Sequence, residues 1–108
     1  MLKTYETIPC PVTATLGLIG GKWKTIILYV LSNGTKRFGE IAVRIPAISR
    51  KVLTQQLKEL ENDGLISRQY FKETPPRAEY SLTELGKSLL PIFRELELWG
   101  TQHILRSV

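Results

Sequence analysis

The stretch from Ile48 to Asp63 constrains the fold most, because as a helix it would have two sharply different faces. Its apolar residues recur at spacings of four and three residues: Leu53, Leu57 and Leu60. The opposite face holds two cations, a hydroxyl and an amide: Lys51, Thr54, Gln55 and Lys58. The acids collect at the C-terminal end, which is the reverse of what the helix dipole favours. Cations on the exposed N-terminal half are typical of a DNA-recognition helix, and the stretch is predicted to be one.

The charge distribution favours an anionic partner. The 108 residues include 15 Lys and Arg against 10 Asp and Glu, a net charge of +5, and the sequence pI is about 9.6. The excess is localised, because the window from Lys22 to Lys51 holds seven cations and a single acid, Glu40. Composition alone leaves two interpretations open, an anionic partner such as nucleic acid and a solvated basic face.

Several classes of function are not expected. One cysteine, Cys10, and one histidine, His103, cannot build an internal disulfide or a structural metal site. The chain lacks a catalytic constellation and a phosphate-binding glycine loop, so neither an enzyme nor a cofactor is predicted. It also lacks a run of about 18 apolar residues and a signal-peptide pattern. We therefore expect a cytoplasmic protein without membrane contact, folded as one domain over residues 1–108.

Three helices are predicted ahead of the amphipathic stretch. Their bounds are Pro11–Ile19, Lys22–Ser32 and Arg37–Arg44. Pro11 suits a first helical position with Cys10 as the N-cap, and Ser49 is a good N-cap for the stretch itself. Their predicted inward residues are Val12, Leu16, Ile19, Trp23, Ile26, Ile27, Val30, Leu31, Phe38, Ile41 and Ile45. Pro46 ends the third helix, and the short turn that follows makes a helix-turn-helix.

A hairpin and a long helix are predicted after the stretch. The strands are Leu65 to Glu73 and Ala78 to Leu82, separated by two prolines that cannot continue a ladder. Thr83 then caps a helix that is expected to continue to the C-terminus with a kink at Pro91. This helix has a heptad-like apolar seam formed by Leu85, Leu89, Ile92, Leu96 and Trp99.

The predicted fold is therefore mainly α with a small β-hairpin, a winged helix-turn-helix. In this architecture the recognition helix enters the major groove and the wing contacts the flanking DNA. Lys51, Thr54 and Gln55 are the candidates for base edges. The candidates for phosphate contacts on and before the recognition helix are Lys36, Arg37, Ser49, Arg50 and Lys58. The candidates on the wing are Arg77 with Lys72 or Arg68.

Two further features leave alternatives open. The seam of the last helix is wider than a small core can cover, so it would dock on the first helix or pair with a second chain, and we favour a two-fold dimer. Cys10 at a helix N-terminus is a candidate reactive thiolate and redox switch, and the alternative, which the spacing alone favours, is a small apolar residue that never reacts. His103 is expected to be a surface or interface residue.

The chain resembles the HxlR-type transcriptional regulators within the MarR-like winged-helix group. The resemblance rests on CPVTATLGLIGGKWKTIILYVLSNGTKRFGEI, SRKVLTQQLKELENDGLISR, PPRAEYSLTELGKSLLPI and the closing LWG. It implies a cytoplasmic bacterial homodimer that binds operator DNA and dimerises through its N- and C-terminal helices. It also implies that Cys10 matches a cysteine through which some members sense oxidants, quinones or aldehydes. Members with a second cysteine form an intersubunit disulfide. This chain has one cysteine, which leaves a Cys10–Cys10 bridge, a mixed disulfide or an adduct.

The expected function is that of a dimeric, sequence-specific regulator on a palindromic operator, whose affinity changes with Cys10 chemistry or with a small ligand between the subunits. The alternative is a winged helix used for protein–protein contact, whose basic face binds an acidic protein.

Overall fold

The computed structural model describes residues 10–105, which form six helices and a small antiparallel sheet. The elements in chain order are α1 (Pro11–Ile19), α2 (Lys24–Leu31), β1 (Lys36–Arg37), α3 (Phe38–Arg44), α4 (Arg50–Asn62), β2 (Ile66–Phe71), β3 (Arg77–Leu82), α5 (Glu84–Lys87) and α6 (Leu90–His103). The helix-turn-helix is α3 and α4, and β2 with β3 is the wing. The predicted order of helices and hairpin is confirmed.

One core lies between α2, α3, α4 and the base of the wing. Its fully buried side chains are Ile27, Leu28, Ile41, Leu53, Leu57, Leu60, Leu65 and Ile66. The apolar stripe predicted for the recognition helix thus lies entirely inside the core. Leu28 was not among the predicted inward residues, whereas Ile26 was predicted to be inward and is 42% exposed. The inward side of α2 is therefore rotated from the prediction.

Helix α1 begins as predicted but buries fewer residues. Pro11 is at its start and Cys10 is the N-cap, with an extended backbone. Val12 and Leu16 were predicted to be buried, and they are 67% and 55% exposed. Leu18 and Ile19 at the C-terminal end are the residues of α1 that reach the core. Most of α1 therefore lies outside the core and leaves an apolar surface uncovered within the described chain.

The sequence analysis missed strand β1. Lys36 and Arg37 pair with Tyr80 and Glu79, and the resulting strand order is β1-β3-β2. The prediction placed Lys36 in a link and Arg37 inside a helix, whereas both are in the strand and Arg37 is also the N-cap of α3. A strand of two residues is too short to show the alternation of apolar and polar residues that identifies a strand. Its formation also depends on β3, a partner more than 40 residues away in sequence.

Two glycines let the wing join the helices closely. Gly64 follows α4 with a φ of 76°, a left-handed conformation that glycine adopts without strain. Gly86 in α5 packs against the Leu65 carbonyl so closely that a Cβ there would lie 2.2 Å from its oxygen. The Thr83 hydroxyl donates a hydrogen bond to the Gly64 carbonyl at 2.6 Å and accepts one from the Gly86 amide. These contacts fix the base of the wing to the helical body.

The predicted single C-terminal helix is wrong in detail. It is interrupted at Ser88 and Leu89, so α5 and α6 are separate, and Pro91 lies in the first turn of α6 rather than at a kink inside a longer helix. Proline is tolerated there because the first amides of a helix have no intrahelical partner. The last helix ends at His103 and not at the C-terminus. Residues 106–108, which the prediction included, lie outside the described residues.

Candidate nucleic-acid interface

The recognition helix α4 begins with a side-chain cap. The Ser49 hydroxyl oxygen accepts a hydrogen bond from the Val52 amide at 3.1 Å, as expected of an N-cap serine. The Ser49 hydroxyl proton remains available to donate, and Ser49 itself is exposed. The start of α4 thus presents a donor and the positive end of the helix dipole to solvent, which suits an anion.

The outer face of α4 is polar over its whole length. Lys51, Thr54, Gln55 and Lys58 are all exposed, whereas the three leucines behind them are at most 2% exposed. Among residues 10–105, neither lysine lies within 4 Å of a carboxylate oxygen. The Thr54 hydroxyl donates to the Arg50 carbonyl at 2.8 Å, which leaves its methyl group as the outward contact. The face therefore presents two cations, an amide and a methyl group.

The two helices of the helix-turn-helix are also joined at their outer edge. The Arg50 guanidinium lies 4.8 Å from the centre of the Phe38 ring, within cation–π range. At the start of α3, the Arg37 amide donates to the Glu40 carboxylate at 2.8 Å. That hydrogen bond lowers the pKa of Glu40, and the nearby cations, Arg37 first, lower it further. Arg37 and Arg50 both remain exposed beside α4.

Two cations of the basic window are buried, and they are not part of the exposed surface. Lys36 is 9% exposed, and its amine lies 3.4 Å from the Gly34 carbonyl oxygen, to which it donates. Lys24 is 8% exposed and forms an ion pair with Glu59 of α4. The structure thus brings Arg37 to the candidate surface and keeps the Lys36 side chain within the fold, although both were assigned to DNA. Burial cannot be foreseen for Lys36 because it follows from the undetected strand.

The wing presents its cations differently from the prediction. The Arg77 guanidinium donates to Glu73 and Glu79 and lies 4.2 Å from the Phe71 ring centre, so two carboxylates already surround it. Arg68 and Lys72 are exposed, and the Arg68 Nε is 3.9 Å from the Glu61 carboxylate. The exposed cations of the wing are therefore Arg68 on β2 and Lys72 just beyond its end, whereas Arg77 is partly buried between two carboxylates.

The sequence analysis missed Tyr70, which is 57% exposed on β2. Alternate residues of a strand share a face, so Tyr70 lies on the same face as Arg68. The same alternation, extended by one step, leads to Lys72 beyond the end of the strand. A basic and aromatic stripe could have been detected from this spacing of two, and the imperfect alternation of the strand obscured it.

The single cysteine lies at the start of the described chain. Cys10 is exposed at the N-terminus of α1. The Cys10 side chain makes no cap hydrogen bond, but the nearby Thr13 hydroxyl and the backbone amides of Thr13 and Val12 favour its thiolate and lower the pKa of its thiol. A lower pKa increases the fraction of nucleophilic thiolate at neutral pH.

Other kinds of site were searched within residues 10–105. No group of three or more His, Cys, Asp or Glu side chains in that range is arranged to hold a metal ion. No helix in that range is long and apolar enough to span a membrane alone. By length and composition only, α1 and α2 would pass as a bent pair, at an angle of 77°.

Comparison with known proteins agrees with this arrangement. The model of the HxlR-like helix-turn-helix family matches residues 18–108. The uncharacterized HTH-type transcriptional regulator YdeP of Bacillus subtilis is 50% identical over 94 residues, which are 87% of this chain and 73% of YdeP.

Solved structures give the same result. The redox regulator HypR in its reduced form is 44% identical with a TM-score of 0.84, over 92% of this chain and 100% of HypR. The quinone-bound YodB of B. subtilis is 39% identical with a TM-score of 0.75, over 86% of this chain and 99% of YodB. These matches confirm the predicted family and winged-helix fold. The chain belongs to the HxlR-like helix-turn-helix family and is a transcriptional regulator.

Proposed function

We propose that the protein acts in the cytoplasm as a homodimer that binds a palindromic DNA operator, with α4 in the major groove of each half-site. The observation that carries this proposal is the outer face of α4, where Lys51, Gln55 and Lys58 are exposed and the leucines of the helix are all buried. A polar face with two cations and no carboxylate suits phosphates and base edges.

The side chains of α4 have separate roles in this proposal. Gln55 can form a bidentate pair with adenine and Lys51 can donate to guanine, whereas the Thr54 methyl group suits the thymine methyl. Lys58 and Arg50 contact phosphates on either side, and Ser49 donates its hydroxyl proton to a phosphate. Arg37, at the start of α3, contacts the backbone of the DNA as α3 crosses it.

The wing contributes a second contact through β2. Arg68, Tyr70 and Lys72 lie along β2 and its extension and are all exposed.

Replacing Lys72 with alanine should weaken binding to every DNA sequence and flatten the salt dependence of binding, because one phosphate contact is lost. Arg77→Ala should have a smaller effect on that slope, because Glu73 and Glu79 already offset the Arg77 charge. If both substitutions flatten the salt dependence equally, Arg77 contacts the DNA as the sequence analysis predicted.

A second copy of the chain covers the apolar surface in this proposal. Exposed apolar side chains are concentrated on α1 and α6 and comprise Val12, Leu16, Ile92, Leu96, Leu98 and Trp99. Val12 and Leu16 share one face of α1, and Ile92, Leu96 and Trp99 share one face of α6, because helical residues three or four apart are neighbours. Monomers rarely leave wide apolar stripes of this kind in water. A two-fold pair would place its two α4 helices on half-sites about 34–36 Å apart, one turn of DNA.

Gel shifts with genomic fragments at physiological salt test the DNA proposal. We expect a small subset of fragments to be retained in the presence of excess non-specific DNA, and footprinting of those fragments to show two-fold symmetric protection. Retention of none would favour the alternative of an acidic protein partner.

Sedimentation equilibrium tests the dimer. Leu96→Glu places a carboxylate on the exposed face of α6, where Leu96 is 52% exposed and its loss leaves the core intact. We expect the wild type to be dimeric and this variant monomeric at the same concentration. The substitution Val43→Glu is the matched control, because Val43 is a 78% exposed apolar residue on α3. A variant at Leu96 that stays dimeric would place the interface elsewhere.

We also propose that Cys10 makes DNA binding sensitive to oxidants or electrophiles. The support is its exposure, the lowered pKa of its thiol and the similarity to HypR and YodB. DNA binding should be measured across an oxidant or quinone titration for the wild type and Cys10→Ser. We expect DNA binding by the serine variant to be insensitive to the oxidant or quinone. Identical titration curves for the two proteins would contradict a sensing role for Cys10. The alkylation rate of Cys10 should rise with pH and reach half its maximum at a lower pH than the rate of a free thiol does. The reason is that a thiol with a lowered pKa is deprotonated at a lower pH.

A further inference from the structure

Lys24 is the least exposed cation of the basic window and has a specific partner. It is the first residue of α2, and its Nζ lies 2.8 Å from Oε1 of Glu59 on α4. The Lys24 side chain is 10% exposed and that of Glu59 is 42% exposed, so water screens the pair incompletely. Among the described residues, this ion pair is the one that joins the recognition helix to another helix.

The apolar contacts of α4 hold the helix but do not determine its rotation alone. Leu53, Leu57 and Leu60 pack on the core through non-directional contacts, which tolerate small rotations and shifts. An ion pair at hydrogen-bond distance restricts both the separation and the direction of its two groups. Glu59 directly follows Lys58, so any rotation of α4 that moves Glu59 also moves the outer face.

We propose that the Lys24–Glu59 pair positions α4 for base recognition, and that Lys24 is therefore a positioning residue for operator binding although it does not contact DNA. The inference rests on the proposed role of α4 in the major groove. Loss of the pair leaves phosphate attraction in place and misaligns Gln55 and Lys51 with the base edges. Discrimination between sequences should fall more than affinity for DNA in general.

Glu59→Gln separates this mechanism from a simple effect of charge. The substitution removes an acid and raises the net charge by one. Charge alone therefore predicts tighter binding to every DNA sequence. Positioning predicts weaker binding to the operator together with unchanged or tighter binding to non-specific DNA. The two explanations thus give opposite signs for operator binding.

The chain contains a matched control pair. Glu84 and Lys87 of α5 form an ion pair at 3.2 Å, and their side chains are 92% and 60% exposed. Glu84→Gln and Lys87→Met change the net charge by the same amounts as Glu59→Gln and Lys24→Met. They do so at an exposed pair whose two partners both lie on α5. An effect of net charge alone should have the same sign in the control variants and should change the affinity for every DNA sequence alike.

The experiment measures the affinity of the full chain for two duplexes at two salt concentrations. One duplex is selected by the wild type from a random-sequence pool, and the other is a scrambled sequence of the same composition. We expect Glu59→Gln and Lys24→Met to lower the ratio of the two affinities about tenfold, the loss of one good base contact. The control variants should leave the ratio unchanged, and Lys24→Arg, which keeps the charge, should retain most of it.

Other outcomes have definite meanings. If Glu59→Gln and Glu84→Gln both increase the affinity for the two duplexes by the same factor, the inference is overturned, because net charge alone would explain the result. If Lys24→Met does not fold, Glu59→Gln decides alone, since Glu59 is partly exposed and glutamine keeps its shape. Thermal unfolding identifies a variant that has merely lost stability. A wild type that selects no sequence would instead contradict the proposed function.

Discussion

Helices α4 and α6 are of similar length, 13 and 14 residues, and expose opposite kinds of surface. Helix α4 buries all its leucines and exposes polar side chains. Helix α6 buries Phe93, whereas Leu96 and Trp99 are 52% and 58% exposed. Both sequences are amphipathic, but the apolar side of α6 is wider than the core it rests on. The outward face of each helix therefore indicates the partner that would cover it: an anionic DNA duplex for the polar, cationic face of α4 and an apolar protein surface for α6.

Helix α2 contacts both of these helices through polar groups. Its first residue, Lys24, is bound to Glu59 of α4, and its Tyr29 hydroxyl donates to Glu97 of α6 at 2.7 Å. That hydrogen bond to Glu97 is the main cause that raises the pKa of Tyr29. The two partner surfaces are thus joined by one short helix of eight residues.

The largest expected difference between the two helices is in stability. Leu57→Ala empties a site in the core and should lower the free energy of unfolding by about 2–5 kcal/mol. Leu96→Ala should change it by about 0.5 kcal/mol or less at a dilution where the chain is monomeric, because Leu96 is half exposed. Chemical denaturation measures both.

Protein concentration sharpens this first contrast. The effect of Leu96→Ala should grow as concentration increases, since dimerisation stabilises only the chain that retains its interface. The effect of Leu57→Ala should stay nearly constant. A large effect of Leu96→Ala at every concentration would mean that α6 belongs to the core of each chain.

The second expected difference is in base discrimination. Gln55→Ala should cost about 1–3 kcal/mol at one base position of the operator and relax specificity there. Gln102→Ala is the control, because Gln102 is also exposed but lies on α6 and not on the recognition helix. Affinities for a set of single-base operator variants measure the effect. Equal loss of affinity for every sequence on Gln55→Ala would mean that the base-contacting face has been assigned wrongly.

Sequence patterns predicted α4 better than its surroundings, and the reason is physical. The period of Leu53, Leu57 and Leu60 and the Ser49 cap are local properties, and both are confirmed. Lys36 and Lys24 look like surface cations in the sequence. Their burial depends on pairing with β3 and on Glu59 of α4, which are distant in sequence. The exposure of Val12 and Leu16 likewise depends on which surfaces the rest of the chain covers.

The third difference between the two helices is at their N-termini. Helix α4 is capped by a side chain, whereas α6 has no side-chain cap. Ser49 accepts from the Val52 amide, whereas the N-cap of α6 is Leu89, without a side-chain bond. Ser49→Ala should lower the free energy of unfolding by about 1 kcal/mol and weaken DNA binding. Ser49→Asp should keep the stability, because aspartate also caps, and still weaken DNA binding, because its charge repels phosphate. Unchanged DNA binding by Ser49→Asp would contradict a phosphate contact at this position.

The smallest expected difference is in the salt dependence of binding. Lys58→Ala removes one phosphate contact from α4 and should reduce the slope of log affinity against log salt by about 0.9. Arg94→Ala removes the same charge from α6, where Arg94 is exposed, and should leave the slope unchanged. Affinities for one operator between low and physiological salt, at a concentration that keeps both variants in the same oligomeric state, measure the two slopes. Equal slopes would mean that α4 attracts DNA only through the net charge of the chain, since a direct contact releases counterions locally and a distant charge does not.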